Sequence, residues 1–133
     1  MDQMSELEPA GSIKCPKCGA QMSTADVGGV TIDRCPTCGG MWFDAMELDK
    51  VLASREVREA AKKLDSLPPA KESRERMHCP RDKGWLIRMA ALGQPHVHYE
   101  SCKVCGGAFL DSGELRDLSQ VTLLERLKRI FGG

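Results

Sequence analysis

Aromatic side chains are scarce in this chain: two Trp, one Tyr and three Phe among 133 residues. Cores of ordinary globular domains draw much of their buried area from such rings, so some other device must stabilise this one. Net charge is also missing, because 19 basic residues balance 19 acidic ones. Proteins that grip nucleic acid by neutralising phosphates carry a basic excess or a dense basic patch, and the composition supplies no excess. No stretch approaches the run of about 18 apolar residues that a membrane helix requires. The segment from Met1 to Ser12 is acidic and polar, without the basic start and apolar run of a secretory signal. The expectation is a reduced, soluble, cytoplasmic protein.

The chain does have cysteine, in a pattern written twice. Cys15-Pro16-Lys17-Cys18 is answered by Cys35-Pro36-Thr37-Cys38-Gly39-Gly40, and Cys79-Pro80-Arg81-Asp82 by Cys102-Lys103-Val104-Cys105-Gly106-Gly107. Paired C-x2-C knuckles at this separation are the spacing of a four-thiolate zinc site. An odd count of seven and the pairing into knuckles oppose a disulfide framework. The duplication divides the chain into two units of roughly 60 residues, a size at which a core alone is marginal and a bound metal contributes folding energy of about 10–16 kcal/mol. Two zinc ions are therefore expected, one per unit. Seven thiolates and two dications on a neutral chain leave about −3, which again disfavours phosphate binding.

Site 1 is read as Cys15, Cys18, Cys35 and Cys38. Site 2 is read as Cys79, Asp82, Cys102 and Cys105, because Asp82 keeps the register of Cys18 and zinc accepts a carboxylate oxygen. His78 is the alternative fourth ligand and His98 a distant third. Were all of these to stay off the metal, water would complete the open, three-ligand geometry of catalytic zinc.

Between the knuckles of the first unit, Gly28-Gly29 separates two β-favouring runs and predicts a hairpin. In the second unit, Gly93-Gln94-Pro95 between Trp85–Leu92 and His96–Ser101 predicts another. After each second knuckle an acid is followed three residues later by glutamate: Asp44 with Glu47, and Asp111 with Glu114. That spacing predicts helix starts in which the aspartate caps free amides and the glutamate reaches back. Trp42 and Phe109 are expected to pack on the hairpin beside the metal. Helical periodicity then predicts one helix from Ala45 to about Asp65, some 30 Å long, whose second half projects beyond the ribbon. Pro68-Pro69 ends it. Residues 121–133 read as an amphipathic helix with Leu123, Leu124, Leu127, Ile130 and Phe131 on one face.

The order C-P-x-C followed by C-x-x-C-G-G-x-W-F-D-x-x-E-L, at Cys15–Cys18 and Cys35–Leu48, resembles the small bacterial zinc-finger family named for its similarity to the zinc ribbon of transcription factor IIB. The second unit, Cys79 to Leu115, resembles the same family with Phe109-Leu110-Asp111 in place of Trp-Phe-Asp. The expected fold is a small metal-stabilised α+β protein: two zinc ribbons, each a β-hairpin with knuckles, each followed by an α-helix. The divisions are a tail at 1–12, ribbon 1 with its long helix at 13–66, a linker at 67–76, ribbon 2 with a short helix at 77–120, and the terminal helix at 121–133.

Four functions fit these residues. A non-enzymatic protein-interaction adaptor, with a transcription-associated role implied by the family resemblance, is preferred. A nucleic-acid-binding regulator would use Lys14, Lys17, Arg34, Arg81 and Lys83 around the knuckles. A zinc hydrolase would need an open second site, and a thiol-redox or rubredoxin-like iron protein would use the same cysteines differently. A protein partner is expected, with self-association through the terminal helix as a further route.

Overall fold

The computed structural model describes residues 13–68, 75–91 and 94–117. The elements follow the expected order: β1 (Ser23–Val27), β2 (Val30–Arg34), β3 (Met41–Phe43), α1 (Glu47–Ala53), α2 (Arg55–Leu64), β4 (Ile87–Ala91), β5 (Gln94–Ser101), β6 (Ala108–Leu110) and α3 (Glu114–Asp117). The first hairpin turns at Gly28 and Gly29, whose φ values of 60° and 88° are the pair of left-handed residues a two-residue turn needs to match strand twist. The second hairpin differs from expectation. Gln94 and Pro95 lie inside β5, and the register shifts between Ala90 and Ala91 as the three extra residues of this unit are absorbed by a bulge.

The two ribbons are not separate bodies on a tether. Their six strands form one sheet in the order β1-β2-β3-β6-β5-β4, joined at the centre by antiparallel pairing of β3 with β6. Met41 faces Leu110, Trp42 faces Phe109, and Phe43 faces Ala108. Trp42 and Phe109 occupy equivalent places in the two copies, so the junction has the self-complementary register of a two-fold interface within one chain.

Strand alternation then assigns two faces. Met41, Phe43, Ala108 and Leu110 belong to one core cluster with Val27, Val30, Ile32, Leu48, Val51, Leu52, Ala61 and Leu115, which is the helix-covered face. Trp42 and Phe109 belong to a second cluster with Ile13, Met22, Leu86 and the buried cysteines, which is the knuckle-covered face. Every residue of β3 and β6 is consequently buried. The scarcity of aromatics is met by placing three of the six, Trp42, Phe43 and Phe109, at this junction, each with no exposed surface.

The single long helix is corrected by the structure. Ser54 adopts an extended conformation, ends α1 and caps α2 by accepting the Val57 amide at 3.3 Å. The break lets α2 fold back over the sheet instead of projecting. Ala61 and Arg58 are buried, and the Arg58 guanidinium donates to the Leu52 carbonyl at 3.0 Å, satisfying the end of α1. Arg34 does the same for α2, donating to the Leu64 carbonyl at 2.8 Å.

Asp65, just past α2, crosses into the second ribbon. Its buried carboxylate accepts the amides of Gly113 at 2.8 Å and Arg116 at 3.0 Å and so caps the start of α3. Leu67 and Pro68, at the start of the expected linker, are held as well, because the Ser112 hydroxyl donates to both carbonyls at 3.0 and 2.8 Å. The terminal helix expected at 121–133 and the tail at 1–12 lie outside the described residues.

Candidate metal centres

Two clusters of metal-binding side chains form on the knuckle face: Cys15, Cys18, Cys35 and Cys38, and Cys79, Asp82, Cys102 and Cys105. In each, the four donor atoms lie within 4.8 Å of one another. A tetrahedral ion with zinc–sulfur bonds of about 2.3 Å requires sulfur–sulfur edges of about 3.8 Å. The observed edges are 3.7 Å for Cys15–Cys38, 3.4 Å for Cys18–Cys35 and 3.6 Å for Cys79–Cys105, and the Asp82 carboxylate stands 3.2 Å from the Cys102 sulfur. Both donor sets therefore fit zinc in size and in chemistry.

The knuckles also aim backbone amides at the sulfurs. Cys38 donates to Cys35 at 3.4 Å, Arg81 to Cys79 at 3.3 Å, and Cys105 to Cys102 at 3.4 Å. These amides offset part of the negative charge that thiolates bring to a buried place. Burial pushes the thiol of Cys15 up strongly, that of Cys38 to about 11 and that of Cys79 to about 12. Burial raises Cys35 too, but the amides of Cys38 and Thr37 and the neighbouring thiols outweigh it and bring it down to about 7. A dication entering either cluster displaces thiol protons. Asp82 is the exposed member of its set, held below the usual carboxylate range by the Gly84 amide and the Cys102 thiol.

Of the other candidates, His78 lies outside the cluster. Its Nδ1 is 2.8 Å from the Lys83 carbonyl and its ring stacks on Trp85 at 3.9 Å. His98 is outside as well; its amide donates to Glu114 at 3.0 Å. Lys83 takes a left-handed φ of 70° at the place where the first knuckle of ribbon 1 has Gly19.

The helix-cap expectation needs a correction that bears on the sites. Glu47 does reach back and accepts the Asp44 amide at 3.0 Å, but the Asp44 carboxylate caps no helix. It accepts the Trp42 indole N–H at 2.9 Å and a two-pronged contact from Arg81, with both distances 2.9 Å. Asp111 likewise accepts Lys17 at 2.8 Å. Glu114 accepts the His98 amide at 3.0 Å. Lys17 and Arg81 sit at equivalent points of the two first knuckles, so each ribbon's knuckle is tied to the other ribbon's aspartate.

Trp42 and Phe109 are also exchanged. A Cβ built on Gly107 would overlap the Trp42 ring, and one built on Gly40 would overlap the Phe109 ring. Each aromatic thus lies on the second knuckle of the opposite ribbon, within a cluster that includes buried cysteines of both ribbons. Sequence reading missed this exchange, although the glycine closing each C-x-x-C-G-G is the signal of a close approach. Asp33 and Glu100, which face Trp42 and Phe109 across the ladder, complete the repeat; burial raises them to about 6 and about 7 respectively, with Arg81 opposing the rise in Asp33.

A pair of knuckled hairpins, each gathering four metal donors, defines a zinc-ribbon protein in tandem. Residues 14–54 match the transcription factor zinc-finger family, the zinc ribbon of the transcription factor IIB type, so ribbon 1 is assigned to that type. No curated protein and no solved structure matches the chain.

Proposed function

We propose that this chain is a structural-zinc protein whose two ions, held by Cys15, Cys18, Cys35 and Cys38 and by Cys79, Asp82, Cys102 and Cys105, fix a rigid sheet that binds a protein partner as a non-enzymatic adaptor. The observation that carries this reading is the fate of the polar and apolar surface. Of the five basic residues that a nucleic-acid interface would use, Lys17 and Arg81 bridge the ribbons and Arg34 caps a helix. Apolar side chains are left outside instead: Trp85 is 49 % and Ile87 42 % exposed.

Trp85 precedes β4, the last strand in the sheet order, and Ile87 opens it. Ile87 also lines a cavity of about 270 Å³ with Glu75, Arg76, Met77, Leu86, Arg88 and Glu100. An edge strand beside a pocket of mixed apolar and charged lining suits a partner that adds an extended segment to the sheet edge. Asp82 beside the three thiols supports a structural over a hydrolytic second site, because a fourth protein donor takes the position a reacting water would need. Among the described residues no helix is long and apolar enough to cross a membrane, and reduced cysteines suit a cytoplasmic setting. The family description gives a transcription-associated partner first place.

The test is capture from nuclease-treated extract with zinc-loaded protein. Ile87→Asp is expected to abolish capture while zinc content stays at two ions per chain. Charge reversal at Lys14 and Lys83 is expected to leave it intact. The opposite pattern, with binding that weakens steeply with salt, would assign the protein to nucleic acid.

A further inference from the structure

The two metal sites are built as if each ribbon were the missing wall of the other. The second knuckle of site 2 ends at Gly107, whose carbonyl accepts the Cys102 amide at 2.9 Å and whose own N–H faces the Cys105 sulfur. The Trp42 indole of ribbon 1 lies directly on this glycine. The first knuckle of site 2 contains Arg81, whose amide reaches the Cys79 sulfur while its guanidinium is gripped by Asp44 of ribbon 1. Site 1 repeats the arrangement. Gly40 accepts the Cys35 amide at 2.8 Å, faces the Cys38 sulfur with its N–H, and carries the Phe109 ring of ribbon 2. Lys17, between Cys15 and Cys18, is held by Asp111 of ribbon 2.

We infer that Trp42 and Asp44 are positioning residues for the metal of site 2, and Phe109 and Asp111 for that of site 1, so that loading either site raises the affinity of the other. The inference rests on the structural-zinc reading above. Its physical basis is that a knuckle binds metal more tightly when its sulfurs and amides are already placed, and here placing contacts come from the opposite ribbon. A ribbon without its metal loses the order that keeps its aromatic and its aspartate in position, and that loss reaches the partner site through one layer of packed side chains. Coupling between binding sites is reciprocal, so the effect must run both ways.

Cobalt separates the sites, because four thiolates and three thiolates with one carboxylate give different ligand-field spectra. Full-length protein would be loaded with cobalt and challenged with a chelator while both spectra are followed. Trp42→Leu is expected to weaken site 2 about tenfold, within the usual range of couplings, and to change site 1, in its own ribbon, less. Phe109→Leu should do the reverse. This crossed pattern is one that general destabilisation cannot produce. If each substitution weakens its own ribbon's site at least as much as the other, the inference is overturned. If Trp42→Leu does not fold, Phe109→Leu and Asp44→Asn carry the same test with smaller changes. Wild-type protein that fails to bind two ions would sink the structural-zinc reading itself, whereas two ions with an uncrossed pattern would sink only the coupling.

Discussion

Asp82 and Lys83 make the first knuckle of ribbon 2 unlike its counterpart in ribbon 1. A carboxylate in place of a thiolate gives a harder, weaker donor for zinc. Cys18→Ser is therefore expected to lower zinc retention at site 1 more than Asp82→Asn lowers it at site 2, read by chelator competition; equal losses would contradict the ranking. Lys83 bears the backbone consequence of the same knuckle, since φ near 70° costs a side-chain-bearing residue about 1–2 kcal/mol that glycine avoids in exchange for chain entropy. Lys83→Gly should then raise stability by up to ~1 kcal/mol in urea or thermal unfolding of the zinc-loaded protein. A loss of stability would mean that the Lys83 side chain makes a contact worth more than the strain.

At the level of elements, the kink at Ser54 and the glycine seats decide how the pieces fit. Ser54→Ala removes the acceptor for the Val57 amide and is expected to cost ~1 kcal/mol. Zinc content should be unchanged, because α2 contributes no metal donor. Gly107→Ala is predicted to be worse. Its new methyl group must displace the Trp42 ring in a site with no spare volume, and overpacking of this kind costs about 1–3 kcal/mol. A near-neutral Gly107→Ala, measured by chemical unfolding, would show that the ring is not seated as described. The helix break was legible only in part: Ser54 is a good capping residue, but the apolar spacing runs through it without interruption, and a period of 3.6 does not register a kink.

At the scale of the whole molecule, the continuous sheet predicts that the ribbons stay together when the chain between them is cut. A specific protease site placed within residues 70–73 should yield halves that co-elute while zinc-loaded and part when zinc is chelated; separation of the loaded halves would contradict the β3–β6 junction. Zinc removal should also expose the junction. In a Trp85→Phe variant the remaining Trp42, fully buried in the fold, is expected to shift its emission to the red on chelation. An unshifted spectrum would mean that packing alone holds the core.

Cysteine spacing by itself pointed to the four thiols of site 1 and three of the donors of site 2, because ligand identity and separation are local properties of the chain, and the Gly28-Gly29 dipeptide determined the first hairpin for the same reason. The fourth donor of site 2 was left between Asp82 and the histidines until the fold placed Asp82 in the cluster and His78 and His98 outside it. The sequence also contained both halves of the junction: Trp42 and Phe109, Gly40 and Gly107, Lys17 and Asp111, Arg81 and Asp44. Which half meets which was decided only by the tertiary structure. Each of these residues has an equally good local role, an aromatic beside its own metal or an aspartate capping its own helix. The choice is made by the antiparallel pairing of β3 with β6, which buries both faces of the central strands and brings the opposite knuckle into contact.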